Sequence, residues 1–213
     1  MATAGMMGAY TFTLRGGVFC NAQTANVVLM SIAFGQGNWS KALYYLIPIS
    51  AYLLGALISE LVINPVRKIG KFRWNTYFVA LETIVLFIIG FIPLSISHKL
   101  VQVTINFIAS MQYNSFRQAE GIPMATTFCT NHVRQMGISI ANSIKQKNAS
   151  SLKRGCVHLM MVLFFIGGGI WLTASNGAFG AKSIWLTMIP NGIILALLIH
   201  ADLVEGREES KKK

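Results

Sequence analysis

Charge in this chain is confined to a few short stretches, and that confinement restricts the fold more than any single motif does. Most acidic and basic residues fall in Glu60–Arg73, Lys145–Arg154 and Glu205–Lys213, and the segments between them are nearly uncharged. With 213 residues, 54% hydrophobic and 12% charged, and a mean hydropathy of +0.54, the chain carries about half the charge of a water-soluble domain. Long uncharged segments joined by wet basic loops are the pattern of membrane spans.

The formal net charge of +11 does not point to nucleic acid, because the lysines and arginines flank apolar runs instead of lining one helix face. Their placement fits the positive-inside rule, with the anionic inner leaflet as neighbour. Cys20, Cys129 and Cys156 have apolar neighbours and no CxxC spacing, and read as small buried hydrophobes. Residues 1 to 14 lack the basic start of a cleavable signal peptide, so the spans themselves would serve for targeting.

Two apolar elements are interrupted by polar residues. The first runs over residues 1 to 34 and breaks at Arg15-Gly16-Gly17, where paired glycines let the backbone leave helical geometry. The second runs from Leu100 to Ile144 and breaks between Arg117 and Pro123. As one straight helix it would reach about 67 Å at 1.5 Å per residue, roughly twice a hydrocarbon core, so it must bend, break or re-enter. Laid over each other at a constant offset, the two elements match Thr24 with Thr130 and Val27 with Val133.

Ala42–Val62 is a full-length apolar run with a small-residue face of Gly55, Ala56 and Ser59, suited to close helix packing. Asn64-Pro65 ends it, and Arg67, Lys68, Lys71 and Arg73 make the most basic short loop. Tyr77–Phe91, Val157–Ala174 and Ile184–His200 complete the set, the last interrupted at Pro190-Asn191-Gly192, with a turn over Ala178–Lys182. The expected fold is all-α, a polytopic membrane helical bundle of about six spans with interrupted first and fourth helices and both termini cytoplasmic. Three spans per half make the halves, about 1–96 and 97–201, an inverted-topology duplication within a single integral membrane domain. Residues 202–213 form a solvated tail. In that plan substrate sites lie near mid-membrane between the repeats.

Arg15 sits between apolar flanks, where an arginine must snorkel or pair. It reads either as an anion ligand, as the partner of Glu82 or Glu120, or as an interfacial snorkelling side chain. Asn21, Gln23, Thr24 and Asn26 put donors and acceptors within two turns of the helix that restarts after Gly17, suited to ligand contact or to interhelical hydrogen bonding. Thr127, Thr130, Asn131 and His132 are their counterparts. Glu82, deep in its span, and Glu120 are the carboxylates for proton or ion coupling, and His132 is a further titratable group. Glu82 paired with Arg15 is the purely structural alternative.

The residues Gly5, Ala9-Tyr10-Thr11-Phe12, Arg15-Gly16-Gly17-Val18-Phe19, Asn21-Ala22-Gln23-Thr24 and Asn26-Val27-Val28, with Thr126-Thr127-Phe128 and Thr130 in the second half, resemble the YoaK-like or DUF1275 family of bacterial multi-pass membrane proteins of unknown function. The resemblance covers essentially the whole chain and implies a bacterial inner-membrane location. Thr24-Ala25-Asn26 and Thr130-Asn131-His132 stand where the family commonly has Thr-Gly-Asn, and Gly8 stands where an aspartate is usual. A carboxylate function at that place would have to be supplied elsewhere.

No HExxH, GxSxG, P-loop or CxxC is present, and His98, His132, His158 and His200 lack metal-ligand spacing. The expectation is therefore a protein that is not an enzyme and needs neither cofactor nor metal. It would move a small polar or anionic solute across the lipid bilayer by alternating access to a site between the interrupted helices. The rival is a non-transporting scaffold or lipid-interacting protein, in which the same polar residues hold helices together. So small a bundle is compatible with a homodimer in either case.

Overall fold

The first apolar element breaks where its glycines fall. The computed structural model describes residues 1–69, 72–119, 122–146 and 149–211. Helix α1, Ala2–Leu14, gives way to Gly16 and Gly17 at φ of 88° and 71°, a region that a side chain rarely enters without strain. A Cβ on Gly16 would also lie 2.8 Å from Gln102 Nε2. The chain resumes as α2, Gln23–Gly35, and α3, Trp39–Tyr44, whose start Asn38 caps by accepting from the Lys41 amide at 3.1 Å.

The long apolar run becomes α4, Leu46–Ile69, followed by α5, Trp74–Ile89, and α6, His98–Ser115. The second interruption carries a minimal antiparallel ladder, β1 Gln118–Ala119 against β2 Ile122–Pro123, and the rest of the described chain is helix and loop. Then come α7, Thr130–Gln146, α8, Ala149–Phe179, a 3-10 segment over Gly180–Thr187, and α9, Met188–Lys211.

Three features differ from the sequence expectation. The break expected at Pro190-Asn191-Gly192 falls earlier, in the 3-10 segment. Pro190 sits in the first turn of α9, where a missing N–H leaves no hydrogen bond unmade. The solvated tail does not begin at residue 202: Asp202 is only 8% exposed on α9. Finally, among the described residues two helical stretches, Trp39–Ile63 and Ser150–Val204, are long and apolar enough to cross a bilayer, while Gln23–Gly35 and Trp74–Ile89 are shorter apolar helices.

Packing is dominated by exchanges between the two halves of the chain. Helix α1 packs along α8, α6 along α4, and α5 along α9, while α7 folds back on α8. The α4–α6 pair is parallel, because Tyr44–Gln102, Ser59–Asn114 and Glu60–Arg117 keep near-constant separations of 58, 55 and 57 residues. The α1–α8 pair is parallel too: Gly168 lies against Ala2 and Gly5 against Phe165, and Asn176 donates to Thr13 at 3.0 Å. Close approach depends on a glycine at each contact. A Cβ on Gly168 would meet the Ala2 carbonyl oxygen at 2.2 Å, and one on Gly55 the Phe107 carbonyl oxygen at 2.3 Å.

Two apolar clusters fill the interior. One joins Met6, Met7 and Tyr10 of α1 to Leu86, Ile105 and Ile184. The other joins Trp74, Phe78 and Val79 of α5 to Met111.

Candidate functional site

Arg15 is fully buried, and its hydrogen bonds go to Tyr10 and to main-chain carbonyls, with none to Glu82. Its Nε and Nη2 donate to Tyr10 Oη at 3.1 and 2.9 Å. Nη2 also donates to the Ile92 carbonyl at 2.5 Å and Nη1 to the Pro93 carbonyl at 3.0 Å. Tyr10 Oη in turn donates to the Ala181 carbonyl at 3.1 Å. Main-chain oxygens beyond the C-terminus of α5 attract a cation, so the guanidinium is satisfied without a carboxylate. One end of the molecule is thereby tied shut, with α1, the α5–α6 loop and the 3-10 segment held together.

The polar residues after the first break satisfy one another. Gln23 Nε2 donates to Asn106 Oδ1 at 2.9 Å, and Asn26 Nδ2 donates to Gln23 Oε1 at 3.0 Å and to the Phe19 carbonyl at 2.7 Å. Phe19 N returns a bond to Asn26 Oδ1 at 3.1 Å, and Asn21 Nδ2 donates to the Ala4 carbonyl at 3.0 Å. On α6, Gln102, Asn106, Ser110 and Asn114 follow at spacing four; Gln102 and Asn106 receive this loop, while Asn114 donates to Ser59 Oγ of α4 at 2.7 Å. Gln102 donates to the Arg15 carbonyl and accepts from Tyr44 Oη.

In the second half His132 plays the part of Asn26. Its Nε2 donates to the Ala125 carbonyl at 2.8 Å, so in the neutral ring Nδ1 accepts, from His158 Nδ1 at 2.9 Å. Thr127 is fully buried, whereas Thr24 and Thr130 are exposed and Asn131 half-buried. Thr24 and Thr130 therefore do not line an enclosed space between the interrupted elements. Glu120 lies outside the described residues.

The central polar cluster is elsewhere, where α1, α5 and α9 meet. Glu82 is 1% exposed; its Oε2 accepts from Asn191 Nδ2 at 3.2 Å, and Asn191 Oδ1 accepts from Thr3 Oγ1 at 2.7 Å. Among the described residues Glu82 Oε1 has no hydrogen-bond partner. An unpaired buried carboxylate oxygen is costly, so this atom is a natural place for a proton or cation. Sequence reasoning picked out Glu82 but neither Asn191 nor Thr3, whose only signal was a polar residue in an apolar helix.

Trp74, Phe78 and Glu82 share a face of α5 at spacing four. Beyond Trp74 the end opposite the Arg15 tie opens into a polar cleft of about 940 Å³, lined in part by Glu60, Arg73, Trp74, Asn114 and Arg117. Among the described residues no three His, Cys, Asp or Glu side chains converge as a metal site would require.

An all-helical chain with its helices exchanged between halves, apolar outside and polar at two breaks, is the class these features define. The chain belongs to the DUF1275 family, a family of unknown function, whose model matches residues 1–198. No curated protein and no solved structure matches it.

Proposed function

We propose that the chain is a multi-pass protein of the bacterial inner membrane that moves a small polar solute by alternating exposure of the Glu82–Asn191–Thr3 cluster. Its exterior supports a bilayer environment: Leu53, Leu61, Ile144 and Leu197 are 65% exposed or more, and an apolar surface this extensive is unfavourable in water. The reciprocal pairing of α1 with α8 and α6 with α4 supports an inverted repeat of three spans, the interrupted elements being the first and fourth. Short helices on either side of each break would together make up a crossing.

One observation carries the transport reading. A fully buried carboxylate with an unpartnered oxygen lies between an end tied by Arg15 and an end that opens into a cleft, with Phe78 and Trp74 between. In this reading Glu82 takes up the coupling proton or cation, Arg15 is the latch of the closed end, and the solute passes without covalent change. The pairing of Gln23 with Asn26 and Asn106, and of His132 with His158 and the Ala125 carbonyl, favours the second reading, a scaffold, for those residues.

The test uses purified protein in vesicles of phosphatidylethanolamine and phosphatidylglycerol loaded with a pH-sensitive dye, challenged in turn with neutral amino acids, carboxylates and inorganic phosphate. At least one should acidify the lumen, and Glu82→Gln, which keeps an amide partner for Asn191, should abolish the response while the protein stays folded. Lumenal pH that no compound changes, together with no uptake of any of the radiolabelled compounds under an inward sodium gradient, would overturn transport and leave the scaffold.

A further inference from the structure

We infer that the open cleft at the Arg117 end is a binding site for an amphipathic zwitterion, a molecule carrying an ammonium and a carboxylate or phosphate on an apolar body. The inference goes beyond the transport reading and stands whether or not any solute crosses. It rests on what the rim and the floor of the cleft offer.

At the rim Arg117 Nη2 donates to Glu60 Oε2, and the two side chains are 56% and 60% exposed. An exposed pair of this kind contributes little to stability, so it opens at little cost. Each member can then take the opposite charge of a ligand. Asn114 holds the guanidinium in place from two sides, its carbonyl accepting from Arg117 Nε at 3.1 Å and its Oδ1 from Nη2 at 2.9 Å. Arg117 Nη1 has no hydrogen-bond partner among the described residues, and a planar guanidinium suits an oxoanion.

A lone anion is a poorer match, because Glu60 faces the same space and would repel it. A lone cation meets Arg117 and Arg73 there. Arg73 is anchored by buried Asp202, to which its Nε and backbone N both donate, so this second pair stays closed while the rim pair opens. Behind the charges Trp74, Ile63 and Leu198 make an apolar floor, which suits a hydrocarbon portion. A neutral amino acid with an apolar side chain and an ethanolamine phospholipid headgroup both carry this chemistry.

The full chain, purified in a neutral detergent, should be unfolded thermally with leucine or with dihexanoyl phosphatidylethanolamine below its micelle concentration. Isocaproate, which lacks the ammonium, and isoamylamine, which lacks the carboxylate, serve as single-charge controls. At about a hundredfold excess over Kd, at least one zwitterion should raise the midpoint by about 5 °C, and neither control should. The zwitterion that acts identifies the source, free solute or lipid. Arg117→Gln and Glu60→Gln, both at exposed positions, should each remove the shift while leaving the ligand-free midpoint in place. No shift with either zwitterion, an equal shift with a single-charge control, or a shift that survives both substitutions would overturn the assignment.

Discussion

Asn26 and His132 do the same work in opposite halves of the chain. Each lies just after the start of the helix that follows a break, and each donates to the carbonyl seven residues earlier, Asn26 to Phe19 at 2.7 Å and His132 to Ala125 at 2.8 Å. The second half thus carries an imidazole where the first has an amide, and the imidazole reaches the same kind of acceptor. The second ring nitrogen then gains His158, a partner that the amide does not have.

Asn26→Ala should free the first break. The Phe19 amide loses its acceptor and its carbonyl loses a donor, each loss worth about 1–3 kcal/mol if the group stays buried. Hydrogen exchange should accelerate at Phe19 more than at amides in the middle of α4; equal protection at Phe19 in variant and wild type would refute the clasp.

Arg15→Gln should destabilise the protein by about 3 kcal/mol or more, since Tyr10 Oη and the Ile92 and Pro93 carbonyls lose charged donors together. Arg15→Lys should not restore it, because one ammonium cannot reproduce a planar fork that spans three acceptors. Denaturation midpoints of the two variants in one detergent decide the point.

Gly55→Ala and Gly168→Ala should each cost about 1–3 kcal/mol by pushing a helix off a backbone carbonyl. Gly167→Ala, with open space around its Cβ position, should be neutral or slightly stabilising. Similar losses at residues 55 and 168 in a thermal unfolding series would accord with a close contact at each, and no loss at either would mean that the helices do not approach so closely.

Asp202→Asn removes the charge that Arg73 Nε, Arg73 N and Thr76 Oγ1 share, with an expected loss of about 1.5–3 kcal/mol. Glu60→Gln, at an exposed pair, should stay within about 1 kcal/mol of wild type. A chemical denaturation series ranks the two directly, and equal effects would show that Asp202 is not the anchor of the α5 start.

The breaks were legible because their residues are chemically out of place: Arg15 with two glycines, and the polar run after Phe116, stand against apolar flanks. The helical class and the family were legible for similar reasons. The partners of Arg15 were not, since backbone carbonyls leave no mark in a sequence, and charge matching pointed to Glu82, to which it makes no hydrogen bond. Thr24 and Thr130 share an offset in sequence, but an offset says nothing about which way a helix faces, and both side chains are exposed. Gln102, Asn106, Ser110 and Asn114 could have been found by their four-residue period; inside a helix with many apolar residues they read as ordinary amphipathicity. Asn191 was noticed only as part of a Pro-Asn-Gly breaker, although its role is to hold Glu82.

The exchange of helices between halves has a consequence for how the protein is made. Helix α1 leaves the ribosome well before α8, the helix that covers it, and Asn176 that ties to Thr13 lies 163 residues downstream. Neither half closes on itself, so the early segments must wait with a bare flank until translation is nearly finished. A ribosome stalled before α8 emerges should carry a chain that chaperones and proteases recognise, whereas one stalled after it should not.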